Sequence, residues 1–215
     1  EQYYLFSYPW LRCKLRVLPT GIDTNVFKKI DKNQCREFLH LDRVAKILMY
    51  IGRIEPPKRV NDIITAFKHV YKVYPNTKLI IIGDGVLLNE MKQQVVNNNL
   101  GDSVKFTGIV IRNDLPFWIN AADLTILYSY NEGSPLSIKE SLACGVPVIA
   151  NKVGDIEEVI INGINGFVIE QEDNMSISKI IEMALYEYQF DSKVCVESIK
   201  KYSLENVNKK IESVY

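Results

Sequence analysis

The sequence predicts an α/β fold: a doubly wound, Rossmann-like parallel sheet of about six strands, with helices on both faces and a helical C-terminal tail. Two observations carry this. Six short apolar runs, at 46–52, 78–83, 104–108, 124–128, 146–150 and 166–170, are near-continuous rather than alternating. That is the pattern of strands covered on both faces. Between the runs lie segments with helical periodicity, and strands alternating with helices at this pace imply right-handed βαβ crossovers and a parallel sheet.

The first crossover helix is the clearest. Over 60–74, the apolar residues Val60, Ile63, Ile64, Phe67, Val70, Tyr71 and Tyr74 recur at helical spacing. Further helical patterns run through 87–98, 112–122, 136–144 and 156–162, and from about 174 onward the pattern is helical with a break near Tyr202 and Ser203. Ahead of the sheet, residues 15–23 read as a short strand and a turn, preceded by the aromatic-rich stretch YYLFSYPWL. An isolated strand before a complete sheet suggests the last piece of a neighbouring domain, and the start at Glu1 suggests a fragment.

Composition narrows the function. Lys+Arg and Asp+Glu both total 26 in 215 residues, so the formal net charge is zero. A nucleic-acid partner is disfavoured, because such proteins usually carry a basic surplus. A small anionic ligand needs only two or three local cations. Cys13, Cys35, Cys144 and Cys195 are widely separated, and with His40 and His69 they make no zinc set at usual spacing. They read as reduced thiols, which fits a cytoplasmic location. No apolar run approaches the roughly 18–20 residues of a membrane span.

Ligands of doubly wound sheets bind at the carboxyl ends of the strands, so the loops there are the candidates. In GRIEPPKR, 52–59, Arg53 sits at a strand end and Lys58 just before a helix. The two cations suit a phosphate, Arg as a planar fork and Lys as a point charge, or they belong to a solvated basic loop. GDG at 83–85 lacks the third glycine of a dinucleotide fingerprint, since position 88 is leucine. Gly83 and Gly85 mark a tight turn that admits close approach. In SYNEGSP, Glu132 lies in a loop and Glu140 about one turn into the helix that begins near Leu136. Free amides at 136–138 would point back at the loop, ready for an anion. The two glutamates either face one ligand or are a loop carboxylate and a residue favoured near a helix start.

In this order the segments resemble the carboxyl-terminal, donor-binding half of GT-B-fold retaining glycosyltransferases of the group 1, or family 4, class. LPTGIDTNVF (18–27) resembles the interdomain segment, YIGRIEPPKRVNDIITAF (50–67) the Arg-x4-Lys phosphate loop, and ADLTILYSYNEGSPLSIKESLACGVPVIA (122–150) the E-x7-E region. VGDIEEVIINGINGFVIE (153–170) resembles the segment that follows it, and KYSLENVNKKIESVY (201–215) the terminal helix. The resemblance implies three parts: residues 1–22, remnant and linker; 23–190, the nucleotide-sugar-binding domain; and 191–215, helices crossing toward an N-terminal domain that is not in this chain.

It also implies roles. Arg53 and Lys58 would hold a diphosphate, Glu140 the ribose hydroxyls, and Glu132 the transferred sugar. The segment Gly133, Ser134, Pro135, Leu136 and Ser137 would line the sugar and phosphate, with Gly83, Gly108 and Ile109 near the nucleotide. The implied partners are a nucleotide-sugar donor and, through the N-terminal domain, a carbohydrate or glycolipid acceptor. Any peripheral membrane contact would belong to the longer protein. No metal and no other cofactor is implied, and no D-x-D occurs. A nucleotide-sugar epimerase and a phosphorylase share the fold but are disfavoured by the E-x7-E spacing, and a non-catalytic sugar-nucleotide-binding module is the alternative outside catalysis. Four positions depart from the family pattern: Arg59 and Asp155 where glycine is common, Glu157 where proline is, and Ser134 where an aromatic or aliphatic residue usually lies beside the sugar.

Overall fold

The computed structural model describes residues 18–170 and 173–213. Most of the strand expected over 15–23 lies outside the described residues; within them, Ile22 makes a single bridge to Ser203. The sheet has six strands: β1 Lys46–Ile51, β2 Thr77–Ile82, β3 Val104–Gly108, β4 Leu124–Leu127, β5 Val148–Asn151 and β6 Gly166–Ile169. Every neighbouring pair is parallel, in the order β3-β2-β1-β4-β5-β6. The order reverses between β1 and β4, and the crevice above that switch point is where such sheets take ligands.

The continuity of the apolar runs follows from two cores. In β1, Leu48 and Tyr50 enter one core while Ile47 and Met49 enter the other. The first core is closed by α2 (Val60–Val73), α3 (Leu88–Asn97) and α7 (Asn174–Glu182). The second is closed by α4 (Leu115–Ala121), α5 (Leu136–Ala143), α6 (Ile156–Val159) and α8 (Ser192–Ile199). Both faces of each central strand are dry, so no polar alternation is tolerated.

The tail breaks where expected: a 3-10 turn at Lys200–Tyr202 precedes α9 (Leu204–Glu212), whose amino end is capped by the Ser203 hydroxyl. Two expected helices are shorter than their apolar pattern, starting at Leu115 and ending at Val159. One helix has no counterpart in the periodicity. α1 (Lys32–Phe38) is capped by Asp31 and buries Arg36, whose guanidinium meets Asp123 at 2.7 Å and the Ala121 carbonyl at 2.9 Å. A polar anchor rather than an apolar stripe holds it.

Candidate functional site

At the carboxyl end of β1 the chain turns through Gly52 and Arg53, then tightens into a 3-10 turn, Pro56–Lys58, with prolines that suit its first positions. Arg59 follows with φ +46° and ψ +38°, a left-handed conformation that favours glycine. The structure thus explains why glycine is common at this position. The arginine compensates by lying 4.0 Å over the Tyr128 ring and 4.5 Å from that of Tyr130, with Nε donating to Asp62 at 2.7 Å.

This turn directs Lys58 across the switch point to Glu132, Nζ to Oε1 at 2.6 Å, and both side chains are largely buried. Ser129 Oγ donates to the same oxygen at 2.9 Å. Ser129 is in turn fixed by Asn151 at the end of β5, whose amide accepts from its N–H and donates to its carbonyl. Arg53 goes elsewhere: it is exposed and pairs with Glu55 at 2.9 Å. The two cations therefore stand on one loop but hold different carboxylates.

Past Glu132 the loop runs through Gly133 and Ser134 to Pro135, and α5 starts at Leu136 without a side-chain cap. The first amides of a helix have no partner within it, so those of Leu136 and Ser137 are available to an anion. Gly154, at φ +57°, presses the loop from behind; a Cβ there would lie 2.4 Å from the Gly133 carbonyl oxygen.

Glu140, five residues into α5, is 5% exposed. Burial pushes its carboxyl up to about 7, against the pull of Arg112, whose Nη1 lies 3.6 Å from Oε1. Its environment is the opposite of that of Glu132, which takes both a lysine and a hydroxyl.

Beside these groups lies a cavity of about 670 Å³, lined by Gly52, Arg53, Gly83, Gly85, Ile109 and Val110 among others. Its backbone is interlaced: Gly83 N–H donates to the Gly108 carbonyl at 2.9 Å, and Ile54 N–H to Asp84 at 2.8 Å. At Gly83, φ is +135° and a Cβ would sit 1.9 Å from the Gly52 carbonyl oxygen. Only glycine fits this close approach. Ile109 stands on the rim, 78% exposed. The cavity thus holds Arg53, Gly83 and Ile109, with Gly108 bonded to Gly83, while Lys58 and Glu132 pair with each other ahead of residues 133–137 and of α5, which bears Glu140.

Sequence reasoning missed the partners. Nothing local in the sequence pairs Arg112 with Glu140, Ser129 with Glu132, or Lys139 with Asp155 beneath Ser134. The one available signal was Asp155 and Ser134 departing from the family pattern together. Among the described residues no three His, Cys, Asp or Glu side chains gather as a metal-ligand set, and no helix is long and apolar enough to cross a membrane.

Comparison with known proteins identifies the family. Residues 31–201 match the family described as Glycosyl transferases group 1. Over 210 residues the chain is 30% identical to the alpha-monoglucosyldiacylglycerol synthase of Streptococcus pneumoniae (strain ATCC BAA-255 / R6), covering 95% of this chain and 47% of that protein. It is 32% identical to the N-acetyl-alpha-D-glucosaminyl L-malate synthase of Bacillus anthracis, covering 73% and 40%. The chain therefore spans about half the length, or less, of these curated relatives.

Among solved structures, Anabaena HepE in complex with UDP superposes with a TM-score of 0.83 at 24% identity, over 94% of this chain and 58% of that one. The C-terminal domain of the Francisella tularensis group 1 family protein LpcC superposes with a TM-score of 0.70 at 27% identity, over 89% of this chain and 98% of that domain. On the family match over residues 31–201 and these relatives, the chain belongs to the group 1 glycosyl transferases and has the Rossmann-like architecture of their GT-B fold.

Proposed function

We propose that this chain binds a nucleotide-sugar donor for a retaining, metal-independent glycosyl transfer. Acceptor contacts would come from a further domain of a longer protein, so this chain by itself binds donor but turns over little or none. One observation carries the reading: Glu132 and Glu140 flank the uncapped amino terminus of α5 at the β1/β4 switch point, opposite the loop bearing Arg53 and Lys58. An anion fits the helix terminus and the cations, and neutral hydroxyls fit the carboxylates.

The diphosphate would then displace Glu132 as the partner of Lys58. That exchange releases the Glu132 carboxylate toward the sugar hydroxyls at the moment donor arrives. Glu140, at the other end of α5's first turns, accepts from the ribose. Arg53, already exposed, swings from Glu55 to the phosphates. Charge growing on the departing nucleotide is thus met by the two recruited cations and by helix amides, which is stabilisation by positioning rather than by an acid/base carboxylate pair. Solved relatives hold UDP and UDP-glucose, which supports a nucleotide-sugar as ligand class.

Calorimetric titration with UDP, GDP and ADP tests the proposal. Binding of at least one is expected, and no heat from any of the three at millimolar concentration would sink it. In the longer protein, donor turnover lost on Glu132→Gln is the expected sign of an enzyme rather than a binding module.

A further inference from the structure

Beneath the donor loop lies a charged cluster that this reading does not yet use. Lys139 projects from α5 and is fully buried, its side chain 0% exposed, with Nζ 2.7 Å from Asp155 Oδ2 and 2.5 Å from Ser134 Oγ. Ser134 Oγ donates to the same Asp155 oxygen at 2.8 Å. The Lys139 ammonium also lies 3.5 Å from the Thr20 carbonyl and 4.6 Å from the centroid of the Tyr202 ring. Asp155 Oδ1 is buried and accepts no hydrogen bond among the described residues. The carboxylate is therefore committed, through one oxygen, to Lys139 and Ser134.

A buried ammonium is costly unless paired, and a buried pair by itself adds little stability relative to apolar packing. What such a pair does well is fix one geometry. Here the geometry is that of the loop. Glu132 and Gly133 rest their carbonyls on Gly154, while the next residue on each chain, Ser134 and Asp155, closes the contact with a hydrogen bond. The far end of the same loop is held by Lys58 and Ser129 through Glu132. The loop is clamped at both ends by groups from separate parts of the chain.

Resting on the donor-binding reading above, we propose that Ser134, Lys139 and Asp155 form a positioning cluster for the sugar half of the donor. The cluster sets where Gly133 and Ser134 present their backbone to the sugar. Among the described residues no hydrogen bond or ion pair joins its side chains to Gly52, Gly83, Ile109, Arg53 or Glu140. Ser134 and Asp155, the two departures from the family pattern that meet here, are then parts of one device. A shift of the loop by an ångström changes sugar affinity while leaving the nucleotide half alone.

The test compares two ligands on one protein. The tightest binder among UDP, GDP and ADP is titrated calorimetrically into the wild type, Asp155→Asn and Ser134→Ala, followed by the matching UDP-glucose, GDP-mannose or ADP-glucose. Expected is a loss of about tenfold in the ratio of sugar-conjugate to nucleotide affinity in both variants. For Asp155→Asn the nucleotide alone should stay within about twofold. An unchanged ratio at intact circular dichroism overturns the positioning role, and so does an equal loss for both ligands. If none of the three nucleotides binds the wild type, it is the donor-binding reading that fails. Should Asp155→Asn not fold, Ser134→Ala decides on the ratio.

Discussion

Over β2 and β3 the crevice is walled by Gly52, Gly83, Gly85 and Ile109, whereas over β4 and β5 it is edged by Glu132, Ser134, Glu140 and the start of α5. The first half is built from backbone brought so close that side chains have no room. The second is built from polar side chains that have partners elsewhere in the chain: Lys58 at Glu132, Asp155 at Ser134 and Arg112 at Glu140. The difference teaches where this site tolerates change. On the donor-binding proposal the backbone half would recognise by shape and fail as a structure when altered, while the charged half would recognise by charge and could be retuned without unfolding.

The largest expected effect would establish the rigid side of that contrast. Gly83→Ala puts a Cβ 1.9 Å from the Gly52 carbonyl oxygen at φ +135°. A loss of about 4 kcal/mol or more is expected by denaturant unfolding, through backbone strain in both loops. Wild-type stability in this variant would dissolve the distinction.

Next comes Glu140, where charge and stability pull apart. Its folded value of about 7 exceeds the 4.5 of an ordinary glutamate. Between these values the folded state binds more protons than the unfolded state, so this group makes stability fall as pH rises through that window. Glu140→Gln should remove that slope and be more stable than wild type at pH 8, by about 3 kcal/mol. It should also bind nucleoside less well. Arg112→Gln should extend the slope to higher pH, because the arginine is what pulls the folded carboxyl down. Identical stability–pH curves for wild type and Glu140→Gln would contradict the buried-carboxylate account.

Arg53→Ala sharpens the charged half from outside. Diphosphate affinity should drop by about 1.5–3 kcal/mol, the worth of a hydrogen bond to a charged group, with nucleoside affinity unmoved. Equal losses for UDP and uridine would remove Arg53 from the phosphate. The smallest effect expected is a gain. Glu132→Gln frees Lys58 from its 2.6 Å ion pair, and UDP should bind about threefold tighter, the scale of a modest charge–charge term. Weaker UDP binding would argue against partner exchange at Lys58.

The same contrast governs what the sequence made legible. Gly83 and Gly85 can be read as a close approach because a glycine's reason lies in its own backbone. The six strands can be read because burial on both faces writes itself into a continuous apolar run. Glu132 and Glu140 can be placed because a loop and a helix start are local. Their partners cannot. Arg112 reaches Glu140, and Asp155 reaches Lys139 and Ser134, from loops that only the sheet order brings near. α1 escapes periodicity for a related reason: it is fastened by Arg36 to Asp123 and buries little besides Cys35. Local signals fix elements, and pairings across the crevice are set by tertiary structure.

The switch point has one more consequence. β1 and β4 meet through Leu48 and Leu124, Met49 and Thr125, and Tyr50 and Ile126, joining the unit of β1–β3 to that of β4–β6. β1 and β4 themselves are separated by most of a βαβαβ length of chain, so their pairing is a long-range contact. A donor bound as proposed would grip one unit by Arg53 and Lys58 and the other by α5, and would act as a staple between them. Occupied to a hundred times its dissociation constant, such a ligand adds about 2.7 kcal/mol to the folded state. Saturation with donor would then protect the seam amides of β1 and β4 from hydrogen exchange, far beyond the residues that the ligand touches.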